Sequence, residues 1–269
     1  MLSNTRLTAE NNELGVFFYL HRFGWLKTRQ IAALVWPKSA DGGYSMAQRT
    51  LRRLKLAHKV IPKLAPDGAT IYALGRGGAK QLHDHEGLEY AKTTRDCMRS
   101  LPAYDHRALA NDIAIGWIAQ GKKAWTEHEI QAGRAPLKVL RGKIPDVLLD
   151  WTEKTLAADD EIVLAWVEIE NSWKSNREMD RMLEFFCAVL GAVDNEGFPR
   201  QFREPINDLT SLGYGLIVIH TNAELKRILR KLAEKKAASP HAYAWDSIAN
   251  ALYLQGNTGK VIPVSGLLG

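Results

Sequence analysis

Cysteine is nearly absent: Cys97 and Cys187 are the only two in 269 residues, and they lie far apart in the chain. That count excludes a zinc ribbon or a disulfide framework and leaves two plain thiols. No run of about 18 apolar residues occurs, which excludes a membrane-spanning helix. The opening residues, MLSNTRLTAENNEL, lack an apolar signal core, so the expected location is the cytoplasm. No Walker A sequence is present either. GRGG at 75–78 lacks the Gly-Lys-Ser/Thr that completes a phosphate loop and reads as a turn before a helix cap. Internal repeats and low-complexity tracts are also missing.

What is present is an uneven charge. The net charge of +6 hides a basic front. Residues 1–100 hold 16 Lys and Arg against 8 Asp and Glu, a balance of +8, whereas the rest hold 20 against 22, a balance of −2. A basic front on a neutral-to-acidic body points to a polyanionic partner, the alternative being a solvated surface excess.

Pattern sharpens the choice. Leu14, Phe17, Phe18, Leu20 and His21 predict an amphipathic first helix that Gly24 ends. Residues 30–36 predict a short second helix stopped by Pro37. After the turn SADGGY, Ser45 is the expected N-cap of a third helix, SMAQRTLRRLKLAHK. Met46, Ala47, Leu51 and Leu54 face inward there, and Gln48, Arg49, Arg52, Arg53 and Lys55 point out. KVIPKLAPDGATIYAL predicts a β-hairpin around a Pro-Asp-Gly turn. Three helices and a hairpin are the order of a winged helix-turn-helix DNA-binding domain, assigned to residues 1–85. Gln48, Arg49, Arg52 and Arg53 are the expected groove and phosphate contacts with double-stranded DNA, and Lys59, Lys63 and Arg76 the expected clamps from the wing.

Residues 86–104 read as a connector and 105–269 as a second, α/β domain. In it, 105–120 predict a helix closed by Gly121, and KAWTEHEI a strand. KIPDVLLDW and IVLAWVEIE predict two longer strands, NREMDRMLEFFCAVLGAV an apolar helix, YGLIVIHT a buried strand, and NAELKRILRKLAEKK an amphipathic helix. At least one more strand or short helix is expected in the last thirty residues. Side chains alternate along a strand, so Ile144, Asp146, Leu148 and Asp150 share one face of the first long strand. Leu164, Trp166, Glu168 and Glu170 share one face of the second. If the strands pair, Asp146 joins Glu168 and Glu170 at one end of a sheet. Crowded acids repel unless a cation neutralises them. Hard oxygen ligands with room for water and phosphate suit Mg2+ or Mn2+, an ion able to polarise a phosphodiester and supply hydroxide. Lys174 falls where the next helix begins, within reach of such a site. The plainer reading places these acids on a solvated strand edge.

Pro145-Asp146 followed by Glu168-Ile169-Glu170 resembles the PD-(D/E)xK restriction-endonuclease-like fold, a mixed sheet flanked by helices. The usual motif ends in Lys where this chain has Glu170, so the resemblance leaves Lys174 as a migrated substitute. The order of domains, with WTEHEI, KIPDVLLDW and WVEIENSWKS in sequence, resembles the replication-relaxation and MobC-type plasmid mobilisation proteins over about residues 10–230. That resemblance implies nicking or marking DNA at a transfer or replication origin. It makes Asp146 and Glu168 metal ligands, Glu170 a ligand or base, Lys174 a phosphate contact or activator, and Glu127 an auxiliary acid; Asp112 is a weaker candidate acid. A homodimer and other relaxosome or replication proteins are further expected partners. Tyrosine relaxases use paired histidines separated by a hydrophobic residue. His83-Asp84-His85 has a charged centre, so any nicking is expected to be metal-assisted hydrolysis. A metal-dependent endonuclease and a non-enzymatic DNA-binding accessory with a decayed nuclease fold both remain open here.

Overall fold

A computed structural model describes residues 4–37, 42–87, 92–99, 103–137, 139–140, 142–152, 162–171, 174–190, 204–207, 210–219, 221–238, 252–255 and 261–263. The protein is mixed α/β, with helices and two sheets. It divides into two compact units, Met1–Ala132 and Gly133–Gly269. The division falls later than the expected connector at 86–104, because the helix that follows this stretch packs into the first unit.

The first unit opens with α1 (Asn4–Phe23), which buries Val16, Phe17, Leu20 and Phe23 along one stripe. Gly24, at φ +77°, ends it in the left-handed region that glycine adopts without strain. Strand β1 (Trp25–Lys27) leads into α2 (Thr28–Val35), and α3 runs Gly42–Leu56. The expected N-cap Ser45 is therefore an exposed residue inside α3. Gly42 and Gly43 open this helix despite the poor helix propensity of glycine, and Gly43 is buried in its first turn. Ala47, Leu51 and Leu54 form the inward face of α3.

The hairpin is as the turn chemistry predicts. Strands β2 (Val60–Leu64) and β3 (Thr70–Leu74) pair antiparallel, with Gly68 at φ +78° in the turn, and β1 adds to β3, giving the order β1-β3-β2. Helix α4 (Arg76–Glu86) follows from a Gly75 N-cap. Gly78 lies so close to the start of β2 that a Cβ there would stand 2.5 Å from the Lys59 carbonyl oxygen. A short 3-10 turn (Arg95–Met98), α5 (Tyr104–Ile118), β4 (Ala124–Thr126) and α6 (Glu127–Gln131) complete the unit.

KAWTEHEI, expected as one strand, is thus a strand only as far as Thr126. Thr126 and Glu129 form a capping box, the side chain of each taking the backbone N–H of the other, and this starts a helix at Glu127. The same Glu129 carboxylate takes Arg22 Nε at 2.7 Å, which ties α6 to the end of α1.

In the second unit, β5 (Val147–Asp150) and β6 (Ile162–Glu170) are antiparallel neighbours. Strand β8 (Thr210–Ile219) runs parallel to β6 and β9 (Leu252–Gln255) parallel to β8, while β7 (Glu204–Asn207) and β10 (Val261–Pro263) are antiparallel to β8 and β9. The order is β10-β9-β8-β6-β5, with β7 also against β8. Residues 163–167 of β6 are buried without a break, as a central strand covered on both faces requires. Helix α7 (Asn176–Leu190) buries Met179, Met182, Leu183 and Phe186, spaced as one helical stripe. Helix α8 (Asn222–Ala238) buries Ile228 and Leu232 and meets α7 through Lys235, which pairs with Glu184 at 2.5 Å and Asp180 at 3.5 Å.

Candidate functional site

Two sets of candidate residues stand out, one in each unit. The acidic set is built by the β5/β6 register. Val147 pairs with Val167, and the Asp146 N–H donates to the Val167 carbonyl at 3.1 Å. This places Asp146 directly across from Glu168, with the two side chains on one face. The Ile169 N–H donates to Asp146 Oδ2 at 2.8 Å and holds that carboxylate against the strand. Trp166, fully buried on the same face, donates its indole N–H to Glu168 Oε2 at 3.3 Å.

Burial, and then the neighbouring charge of Asp146, push the Glu168 carboxyl up to about 7, against the pull of the Trp166 bond. Burial also raises Glu170, which is only 3% exposed, while Lys174 partly offsets the shift. Lys174 reaches back from the segment before α7 to set Nζ 2.7 Å from Glu170 Oε1. Burial disfavours its charge, but the Glu170 bond, with Glu168 and Asp146 beyond it, outweighs burial and holds the ammonium above its ordinary value. Arg227 of α8 donates to the Lys174 carbonyl at 2.7 Å, and the charge of Lys143, stacked over Phe185 at 4.7 Å, is felt at Glu168.

Asp146, Glu168 and Glu170 therefore share one face, as the strand alternation predicts, and Lys174 joins them through Glu170. Among the described residues, no group of three or more His, Cys, Asp or Glu side chains converges as a metal cage. Asp146 and Glu168 nevertheless form a pair of hard oxygen donors, and Mg2+ is commonly held by one or two carboxylates with waters and substrate phosphates. Their chemistry fits Mg2+ or Mn2+; Glu170 is already engaged by Lys174. Glu127, the expected auxiliary acid, belongs to the first unit, where it accepts from Gln131 at 2.7 Å. Asp112, also in the first unit, takes Arg29 at 2.8 Å and Gln30 at 2.7 Å. His83 and His85 are exposed in the last turn of α4, and Asp84 between them pairs with Lys80 at 2.7 Å.

The basic set lies in the first unit. Gln48, Arg49 and Arg52 are exposed on α3, as expected. Arg76 is exposed at the start of α4, and the other three candidates make contacts within the unit. Arg53 pairs with Glu13 at 2.7 Å and Lys59 with the same carboxylate at 3.5 Å, and Lys63 donates to the Met98 carbonyl. The sequence pattern did not single out Arg29 at the start of α2, and it marked Lys55 only as an outward residue. Both line an open cleft of about 610 Å3 together with Gln48 and Arg52. The spacing of Gln48, Arg52 and Lys55, four and then three residues apart on one helix, was the available signal.

A family model described as replication-relaxation matches residues 17–184, more than half of the chain. The chain belongs to the replication-relaxation family. Membership suggests a role in plasmid replication or mobility, and the matched stretch takes in α3, the hairpin, β5, β6 and Lys174. No curated protein and no solved structure matches this replication-relaxation protein.

Proposed function

We propose that this protein binds duplex DNA of a mobile element and cleaves it by metal-dependent hydrolysis at a transfer or replication origin. The first unit supplies the DNA-binding half of that reading. Its order α1-β1-α2-α3-β2-β3, with β1 on β3, supports reading it as a winged helix. Helix α3 presents Gln48, Arg49 and Arg52 exposed, and Arg and Gln are the side chains that read base edges and phosphates in a major groove.

The observation that carries the hydrolytic half is the pairing of Asp146 with Glu168 beside Lys174 on a buried strand end. A carboxyl pushed to about 7 by burial and by a neighbouring acid is the kind of perturbed group that marks functional sites. It also fits a PD-(D/E)xK-like site whose lysine has moved from position 170 to 174. Asp146 and Glu168 are the residues to hold the ion, which when bound polarises a phosphodiester and lowers the pKa of a water. Trp166 and the Ile169 N–H fix the two carboxylates, and Arg227 fixes the backbone from which the Lys174 ammonium reaches toward a phosphate oxygen or the attacking water.

One observation favours a second reading, a MobC-like DNA-binding accessory without catalysis: the Glu170 carboxylate, standing where the motif has lysine, already neutralises Lys174 at 2.7 Å. Supercoiled plasmid carrying the element's origin, incubated with and without Mn2+, separates them. Nicking that needs Mn2+ and is lost in Asp146→Ala, with gel-shift affinity kept, supports hydrolysis. Plasmid that shifts yet stays supercoiled supports the accessory.

A further inference from the structure

The cleft of the first unit is bounded by α3, the first turn of α2 and the turn of the β2–β3 hairpin. Four cations line it, Lys27, Arg29, Arg52 and Lys55, against one acid, Asp67. That acid is fully occupied. It takes Lys27 Nζ at 2.9 Å, the Tyr104 hydroxyl at 2.7 Å and the Ala69 N–H at 3.0 Å. Burial works to raise its pKa, but these bonds outweigh burial and hold Asp67 at about 2. Lys27 is in turn spent on Asp67 and on the face of Tyr104, 4.8 Å away. The free charge in the cleft is therefore positive: among the described residues no ion pair engages Arg52 or Lys55, and Arg29, though it touches Asp112, leaves 63% of its side chain exposed.

Bonds of the same kind engage three further basic residues of the unit. Lys63 turns back along the hairpin to the Met98 carbonyl, and Arg53 and Lys59 share Glu13, whose side chain is 11% exposed. Moving Lys63 to a phosphate strips the Met98 carbonyl of that bond, and moving Arg53 or Lys59 takes one of the two cations from the largely buried Glu13 carboxylate. Arg29, Arg52 and Lys55 carry no such penalty of comparable size.

We infer that this cleft is a phosphodiester site, in which one backbone strand of duplex DNA lies between α3 and the hairpin turn and its phosphates are met by Arg29, Arg52 and Lys55. Gln48, on the cleft side of α3, then faces the adjoining groove edge. The inference rests on the reading of the first unit as a duplex-DNA binder, and it narrows the phosphate contacts to residues that charge patterning alone did not separate from their neighbours.

The test is fluorescence anisotropy of the full-length protein on a labelled duplex of random sequence across a salt series. Removing one side chain that neutralises a phosphate lowers the slope of log K against log salt by about one unit. Arg29→Gln, Arg52→Gln and Lys55→Gln are expected each to lower it by about one, Arg52→Lys to restore it, and Arg53→Gln and Lys63→Gln to leave it unchanged. Unchanged slopes in the first three, or a fall only in the last two, overturn the cleft assignment while leaving DNA binding standing. A wild-type protein that binds no duplex at any salt overturns the underlying reading as well. The exposed positions of Arg52 and Lys55 allow glutamine without disturbing the fold, which the far-UV circular dichroism of each variant checks.

Discussion

Glu168 offers a test that needs no DNA. Its carboxyl titrates near 7 in the folded protein against 4.5 for the ordinary group. Between those pH values the unfolded chain has lost the proton and the folded chain keeps it. The folded state therefore binds the extra proton, and stability falls as pH rises through the window and levels off above about 7. A gap of about 2.5 units at ~1.4 kcal/mol per unit gives a loss of roughly 3 kcal/mol. Glu168→Gln keeps an oxygen for the Trp166 indole and removes the titration. The difference between wild type and variant should thus change by roughly 3 kcal/mol from pH 4.5 to pH 7.5, and by little beyond. The two cysteines make the assay specific, because Cys97 lies in the first unit and Cys187 in α7 of the second, both half-buried. Thiol labelling through a urea series, read by mass spectrometry, follows each unit separately. A pH-independent difference at Cys187, or one that appears at Cys97 instead, would refute the burial and charge argument for this site.

Other expected outcomes follow from single interactions. Mn2+ should raise the urea midpoint at Cys187 more at pH 8 than at pH 6, since it competes with the Glu168 proton; equal shifts at both pH values count against Glu168 as a ligand. Gly78→Ala should cost about 2 kcal/mol at Cys97, because its Cβ meets the Lys59 carbonyl at 2.5 Å and α4 must move off β2; no loss means that α4 does not pack as described. Arg22→Ala should cost about 3 kcal/mol at Cys97 by leaving the Glu129 carboxylate, 7% exposed, without its partner, and Glu129→Gln in the same chain should recover part of it. If the double variant is no better than the single, the loss comes from the Arg22 bond to the Ala124 carbonyl at 2.6 Å.

Much of this protein was legible in its sequence because the signals were local. Period-two alternation placed Asp146, Glu168 and Glu170 on one face before any pairing was known, and β5 and β6 pair in the register that this needs. Gly24, Pro37 and the Pro66-Asp67-Gly68 turn marked their element ends through backbone preferences that hold in any context. The capping box at Thr126 was equally local, yet the apolar run around it read as strand. Helix α3 starts ahead of its expected N-cap, at Gly42, against the poor helix propensity of glycine.

What only the tertiary structure decided is which charges are spent. Arg52 and Arg53 are adjacent in sequence and chemically identical, but one opens on the cleft and the other is held by Glu13, forty residues earlier on α1. Likewise the extent of the first unit turned on α5 and α6 packing there. Partners distant in the chain leave no mark in composition or periodicity, since the attraction between two charges depends on their separation in space and on the water excluded around them.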